Sequence, residues 1–298
     1  MVISVYLPLV CAAFLALVSR PLVRWSPPAL AARVLTIASC VIAFGTLWAV
    51  ALLVVLRLCF EPLVARGGHL ALPVLADVAP VPAIVRQLAA VVFAGMLAAS
   101  VIVAWRRARA TRRLSSLAAQ CRAAGDLVVL DTAQPLAFAL PGRDGRIVVS
   151  SAMLQRLDGP GRAVLLAHER THLVERHDRF RAMTAAAAAV NPLLVIVAGR
   201  VDFALERWAD EEAARKVGDR RLVAATLITA ALGNAPASRP GFAFGNDDIL
   251  ERVRALHHER GRIRRTLVIP CVLTAIVCLA AAGDATGALA RLLLAAHT

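Results

Sequence analysis

The sequence predicts a mainly α-helical membrane protein: about four transmembrane helices carrying one α+β domain on the cytoplasmic side. Three observations predict it. The 298 residues are 59% hydrophobic, with mean hydropathy +0.69, too apolar for a water-soluble chain of this length. Four apolar runs approach the length that a bilayer requires. Between the third and fourth runs the sequence changes to alternating apolar and charged stretches, as an aqueous domain does.

The first run is Val2 to Ser19. No basic residue precedes it, and Arg20 and Arg24 follow it, so it reads as an uncleaved span rather than a signal peptide. Val34 to Leu56, Gln87 to Trp105 and Leu267 to Ala282 are the other three. The last is short, and its flanking arginines can snorkel. Orientation follows the arginines. Arg106, Arg107, Arg109, Arg112 and Arg113 come after the third span, and Arg260, Arg262, Arg264 and Arg265 come before the fourth. The positive-inside rule puts the N-terminus outside and residues 106–266 in the cytoplasm of a cell whose inner (plasma) membrane the chain crosses several times. Residues 1–113 form an N-terminal membrane region and 114–265 a cytosolic domain. Residues 266–298 form a last span with an external tail too short for a folded sensor domain.

The net charge of +14 sits beside apolar spans, and aromatic residues are few. Direct nucleic-acid binding is not expected; the lipid bilayer is. No two cysteines form a CxxC pair. Most lie in apolar spans, so they read as small core fillers.

Within the central region, Leu114 to Ala124 reads as a helix and Leu127 to Asp131 as a strand. Phe138 to Leu140 and Arg146 to Ser150 read as a hairpin around Pro141–Gly145. Arg146 to Ser150 is either an edge strand able to pair with an extended peptide or an interior strand. Ser151 to Leu157 is a short helix, ended by Gly159-Pro160-Gly161. The next helix runs from about Arg162 to Glu175. Met183 to Ala198 is apolar but reads as a buried or membrane-abutting segment broken near Pro192. Pro236 to Asn246 reads as a loop, with a lid or a self-cleavage site both open. Arg252 and Arg254 lie on a further helix and read as packing and headgroup contact.

The helix after Pro160 carries His168-Glu169-Arg170-Thr171-His172. Residues i and i+4 share a helix face, so both imidazoles can aim at one cation. Glu169 stands beside them as a general base. Two histidines and one carboxylate leave zinc a coordination position for water, which it acidifies to near neutral. The missing carboxylate is sought on a later helix. Glu206 and Asp210 are again i and i+4, and apolar neighbours turn their face inward. Glu206 is the candidate ligand, with Glu211 and Glu212 as rivals. Asp210 is the candidate partner for the outer nitrogen of a ligating histidine. His177-Asp178 reads as a surface cap and charge pair more readily than as part of the site. The only tyrosine, Tyr6, is in a span, so zinc, His177 or Arg215 is left to stabilise an oxyanion.

Phe138-Ala139-Leu140-Pro141-Gly142, Arg146-Ile147-Val148-Val149-Ser150 and Ala163 to His172 together resemble the core of membrane gluzincins. The hairpin, HExxH and ExxxD are similar to the HtpX and CAAX-prenyl-protease family. Asn191-Pro192-Leu193-Leu194 before Glu206, and three spans before the domain with one after it, resemble the BlaR/MecR signalling peptidases. The resemblance covers roughly residues 1–285. It implies a gluzincin metallopeptidase domain and one Zn2+ held by His168, His172 and Glu206, with Glu169 as base and Asp210 behind the ligands. It further implies a protein substrate, either a BlaI-type repressor or the chain itself, and so signal transduction. No penicillin-binding sensor follows the last span, so β-lactam sensing is not implied. HtpX-like membrane-protein quality control and a non-catalytic receptor that retains the metal shell are the alternative readings.

Overall fold

The computed structural model describes residues 2–78, 81–119, 123–142, 145–233, 245–257 and 265–297. Helices α1 (Val2–Trp25) and α2 (Pro28–Leu58) form an antiparallel pair, with Pro28 in the first turn of α2, where a missing N–H costs nothing. Two short helices, α3 (Pro62–Gly67) and α4 (Leu72–Val78), connect the pair to α5 (Ala83–Ala119). No breaker interrupts the residues after Trp105, so α5 runs on for 37 residues, about 55 Å. The expected helix over Leu114 to Ala124 is therefore corrected. Its first part is the end of α5, and Ala123–Ala124 is strand β1.

The sheet continues with β2 (Leu127–Leu130), β3 (Ala137–Leu140) and β4 (Arg146–Ser150). Gly125, at φ +65°, supplies the left-handed turn residue between β1 and β2. The strand order is β1-β2-β4-β3. β4 pairs parallel to β2 and antiparallel to β3, so Arg146–Ser150 is interior and the edge-strand option is overturned. The edge strands of the sheet are β1 and β3. The expected hairpin is the β3–β4 pair; Arg143 and Asp144 of its turn lie outside the described residues.

Ser150 ends β4 and caps α6 (Ser151–Arg156), its hydroxyl accepting from Met153 N–H at 3.1 Å. Next comes α7 (Gly159–Val174). Asp158 caps it, and Gly159-Pro160-Gly161 forms its first turn rather than a break, so α7 starts three residues earlier than expected. Beyond it lie α8 (His177–Val190), α9 (Leu194–Val217), α10 (Arg220–Gly233), α11 (Gly245–His257) and α12 (Arg265–Ala296). The apolar run over Met183 to Ala198 is split at Asn191-Pro192 into α8 and α9. The loop expected over Pro236 to Asn246 lies outside the described residues up to 244, and α11 begins at Gly245. The predicted tail after Ala282 is corrected too: α12 continues to Ala296 and its last carbonyl accepts from Ala71 N–H at 2.8 Å, joining it to α4.

Helices α1, α2, α5 and α12 are each long and apolar enough to cross a membrane. They coincide with the four predicted spans. Only 6% of the apolar window of α5 is buried. Val91 and Val101 are 70% and 67% exposed, an open face that water would not tolerate. Leu15, Leu22, Leu35 and Ile42 pack with Cys271 and Cys278 between α1, α2 and α12. The helices meet so closely that a Cβ on Gly45 would lie 2.4 Å from Cys278 Sγ.

α8 and α9 pack on α2, and α9 also packs on α1. Val197, Val201 and Leu205 join the same buried cluster as Leu22 and Leu35. The buried Asn191 donates to Thr46 Oγ1 of α2 at 3.1 Å. Replacing Asn191 with Ala is expected to lower stability by about 1 kcal/mol. Thr46→Val is expected to have a similar effect, and the double variant should lose little more than either single one. Unfolding of the three variants in one detergent checks this; full additivity would show that the pair does not act as a unit.

Candidate metal centre

The site is built by side chains from α7, α8, α9 and α11, with strand β3 along one side. Within α7, His168 and His172 lie one turn apart on the face turned towards α9. Their Nε2 atoms are 3.1 Å apart. Glu206 on α9 brings Oε2 to 3.4 Å from His168 Nε2 and Oε1 to 3.6 Å from His172 Nε2. One donor atom from each of the three lies within 4.8 Å of the others, a grouping able to hold a cation. A tetrahedral zinc with bonds near 2.05 Å sets its ligands about 3.4 Å apart. The spacing and the donor set of two imidazoles and a carboxylate therefore fit zinc.

The outer nitrogens define the tautomers. His168 Nδ1 stands 3.0 Å from Asp210 Oδ1, so its proton sits there and Nε2 faces the cation position. His172 Nδ1 is 2.7 Å from Nδ1 of His177. Only one proton fits between two such nitrogens. If His172 carries it, its Nε2 is bare for a metal, and His177 is protonated on Nε2. That atom is buried and has no hydrogen-bond partner among the described residues, with the Trp208 ring 4.9 Å from the imidazole. His177 is fully buried, so its reading as a surface cap is overturned. Residue i+5 would leave the helix on another side. Arg176 in the left-handed region, φ 53°, ends α7 and swings His177 back against His172.

Two arginines complete the surroundings. Arg181 on α8 donates from Nη2 to Glu206 Oε1 at 2.6 Å and from Nε to Asp202 at 3.2 Å. Arg252 on α11 forms a two-pronged pair with Asp210 at 2.8 Å for each bond, and its Nη1 lies 3.3 Å from Glu206. Sequence reasoning missed Arg181 and read Arg252 as packing and headgroup contact rather than as part of the site. The signal was indirect: a buried Asp210 needs a buried cation. Arg215, a candidate for oxyanion stabilisation, is instead exposed and pairs with Glu212. Glu211 pairs with Arg220, and neither rival carboxylate belongs to the cluster.

Glu169 is buried beside β3, where the backbone of Ala139 favours its charged form. Burial raises its pKa, as suits a base that must capture a proton. Burial opposes charge on His168, but Asp210 and Glu206 outweigh it and push its pKa up to about 10. Burial pushes His172 down to about 3 and His177 down to about 4, so both stay neutral. Burial also works against the charge on Glu206, yet His168 and Arg252 hold its carboxyl well below the usual range. The cleft above these groups is walled by Ala137, Phe138, Ala139 and Pro141 on one side and by Leu173, Asp178 and Arg181 on the other.

A buried pair of helix-borne histidines, a carboxylate from a second helix and an adjacent buried glutamate form the kind of site that metallopeptidases use. Residues 104–239 match the model of Peptidase family M48, a family that includes HtpX and the CAAX proteases. The match suggests a membrane metallopeptidase, and it meets the first of the two resemblances noted in the sequence. It contains the whole cluster except Arg252. Comparison with curated proteins and with solved structures gives no match.

Because His168 without a cation stays protonated up to pH about 10, zinc must displace that proton. Lower pH favours the proton, so zinc affinity should fall about tenfold per pH unit below that value, and binding at pH 7 should release about one proton. Titration calorimetry in buffers of different ionisation enthalpy reads the proton count; no release would contradict the Asp210–His168–Glu206 arrangement. Arg252→Ala leaves the buried Asp210 with His168 as its one remaining charged partner among the described residues, and should cost about 3 kcal/mol of stability. It should also cost roughly tenfold to a hundredfold in zinc affinity. Arg254→Ala, on the exposed side of the same helix, should change stability by no more than about 0.5 kcal/mol.

Proposed function

We propose that the chain is a membrane-bound zinc endopeptidase with its catalytic cleft on the cytoplasmic side and its N-terminus outside the cell. One observation carries the reading. Buried Glu169 stands between the His168–His172–Glu206 cluster and the free edge of β3, so base, cation position and strand edge meet in one cleft. Zinc, when bound, supplies a Lewis acid that polarises a carbonyl and makes water acidic. The chain's own residues do the rest. Glu169 takes the proton of the attacking water and passes it to the leaving amine, a task that its raised pKa favours. Asp210 and His177 hold the two imidazoles in register through their Nδ1 atoms.

The edge of β3 is suited to an extended peptide. Ser150 N–H donates to Leu136 O, so by alternation the amides of Ala137 and Ala139 turn away from β4. Ala139 faces the cleft beside Glu169, and Ala137 is left for a substrate strand. Ala137→Pro removes that donor without touching a ladder bond, so it should block cleavage while zinc stays bound. Loss of zinc from this variant would instead mean misfolding.

For orientation, the exposed arginines after Trp105 and the α1–α2 turn, which Arg207 contacts through the Val23 carbonyl, lie on the side of the metal cluster. Residues 114–265 then form the cytosolic domain. The substrate is a protein. The family match, which includes HtpX, favours turnover of membrane proteins; cleavage of a repressor, or of the chain itself, would make the protein a signal transducer. Glu169→Gln should lower peptide-bond cleavage by a factor of at least about 10² with metal content unchanged. Comparing cellular protein N-termini between wild type and this variant checks it. If no terminus depends on Glu169, the chain is a receptor that keeps the metal shell for structure.

A further inference from the structure

We propose that α8 and α9 form a re-entrant hairpin whose tip, Asn191 to Ile196, lies among lipid acyl chains inside the bilayer. The inference rests on the reading of α1, α2, α5 and α12 as spans and is independent of the peptidase reading.

Charge distribution is the first observation. From Ala182 to Gly199 there is no charged residue, whereas Arg179 and Arg181 precede this stretch and Arg200 and Asp202 follow it. Nine residues, Ala182 to Val190, separate the last charge of α8 from the turn. That is about 13 Å of helix, close to half of a hydrocarbon core about 30 Å thick.

Depth is the second. The tip residue Asn191 bonds Thr46, which stands 18 residues beyond Pro28 and well inside the apolar span of α2. Midway along α9, Arg207 reaches the carbonyl of Val23, beside the α1–α2 turn. Between the tip and that point, Asp202 lies near enough to Arg107, two residues after the exposed Trp105, to feel its charge. Trp25 is also exposed, beside Arg24. Tryptophan flanked by arginine marks the boundary of a bilayer. The metal cluster thus lies at headgroup height, and the turn of the hairpin lies below it.

Backbone satisfaction is the third. Lipid cannot bond a free amide, so a turn inside the bilayer must satisfy its own. Asn191 N–H donates to Ala187 O, Leu193 N–H to Asn191 Oδ1, Leu194 N–H to Asn191 O and Val195 N–H to Pro192 O, all at 2.9–3.2 Å. Pro192 has no N–H. The tip nevertheless offers apolar side chains outward: Leu193, Val195 and Ile196 are 42%, 39% and 55% exposed. Acyl chains are the occupant that the surroundings favour, because α8 packs against α5, whose own apolar window is almost wholly open. The hairpin ties the membrane to the site: His177 and Arg181 begin α8, and Asp202 and Glu206 close the return along α9.

The test uses the full chain in lipid nanodiscs, which expose both faces. Ile196→Cys, Ile276→Cys on α12 and Val174→Cys at the end of α7 are treated with a charged maleimide, and labelled peptides are mapped by mass so that native cysteines do not interfere. Ile196→Cys and Ile276→Cys should react at least tenfold more slowly than Val174→Cys. If Ile276→Cys is protected and Ile196→Cys reacts like Val174→Cys, the hairpin is outside the bilayer and the proposal is overturned while the spans stand. If both react, the reading of the spans fails as well. A bimane at Ile196→Cys, taken as the difference from wild type, should be quenched by lipids carrying a nitroxide deep in the acyl chain and not by iodide. Quenching by neither means that protein, such as a second copy, covers the tip, which overturns the lipid assignment.

Discussion

Two carboxylates on one face of α9, Glu206 and Asp210, impose the constraint on which this half of the molecule depends. Asp210 is buried and Glu206 partly so. A carboxylate withdrawn from water must be met by opposite charge or by several hydrogen-bond donors. No single neighbouring element supplies enough. His168 comes from α7, Arg181 from α8 and Arg252 from α11. Satisfying the two acids therefore fixes the relative positions of four helices. The aiming of His168 and His172 at Glu206 is a consequence of that packing.

The same helices extend this order to the membrane spans. α9 is laced to α1 by Arg207 and the Val23 carbonyl, and to α2 by the stack of Arg33 on Trp208, 4.8 Å from the guanidinium carbon to the ring centre. Trp208 in turn packs on His177, which orients His172. A physical chain of contacts thus runs from the start of α2 through an indole and an imidazole to one of the candidate ligands. Displacement of α2 relative to α9 would be felt first at the ring of His172.

Periodicity made part of this legible in the sequence. The i, i+4 spacing of His168 and His172, and of Glu206 and Asp210, determines shared helix faces whatever the tertiary structure. The four helices long and apolar enough to cross a membrane were legible because length and hydropathy are local properties. What was not legible depends on contacts distant in sequence or on single backbone angles. Nothing in the spacing of His172 and His177 announces that Arg176 adopts a left-handed conformation. Arg252 follows Asp210 by 42 residues, across a segment with no strong pattern. Whether Arg146–Ser150 was interior depended on β2 pairing parallel to it, a partner that hydrophobic pattern alone does not select. The helical end of α12 escaped notice because Asp284 and the glycines after Ala282 lower local hydropathy without breaking a helix.

The balance of charge also bears on how tightly the centre can hold a cation. Arg181 and Arg252 both touch Glu206, one at each carboxylate oxygen. A guanidinium on a ligand oxygen withdraws electron density that a metal would otherwise receive, and it repels the metal directly. Removing both would strengthen the ligand but take from Asp210 and Asp202 the arginines that neutralise them. The fold therefore holds Glu206 in an intermediate state, ionised without a cation and only partly available to one. Neutral His177 behind His172 acts in the same sense, because a carboxylate there would add a negative charge and draw the cation harder. A centre built this way trades affinity for a cation that stays strongly electron-withdrawing, and this is the property that polarising a peptide carbonyl requires.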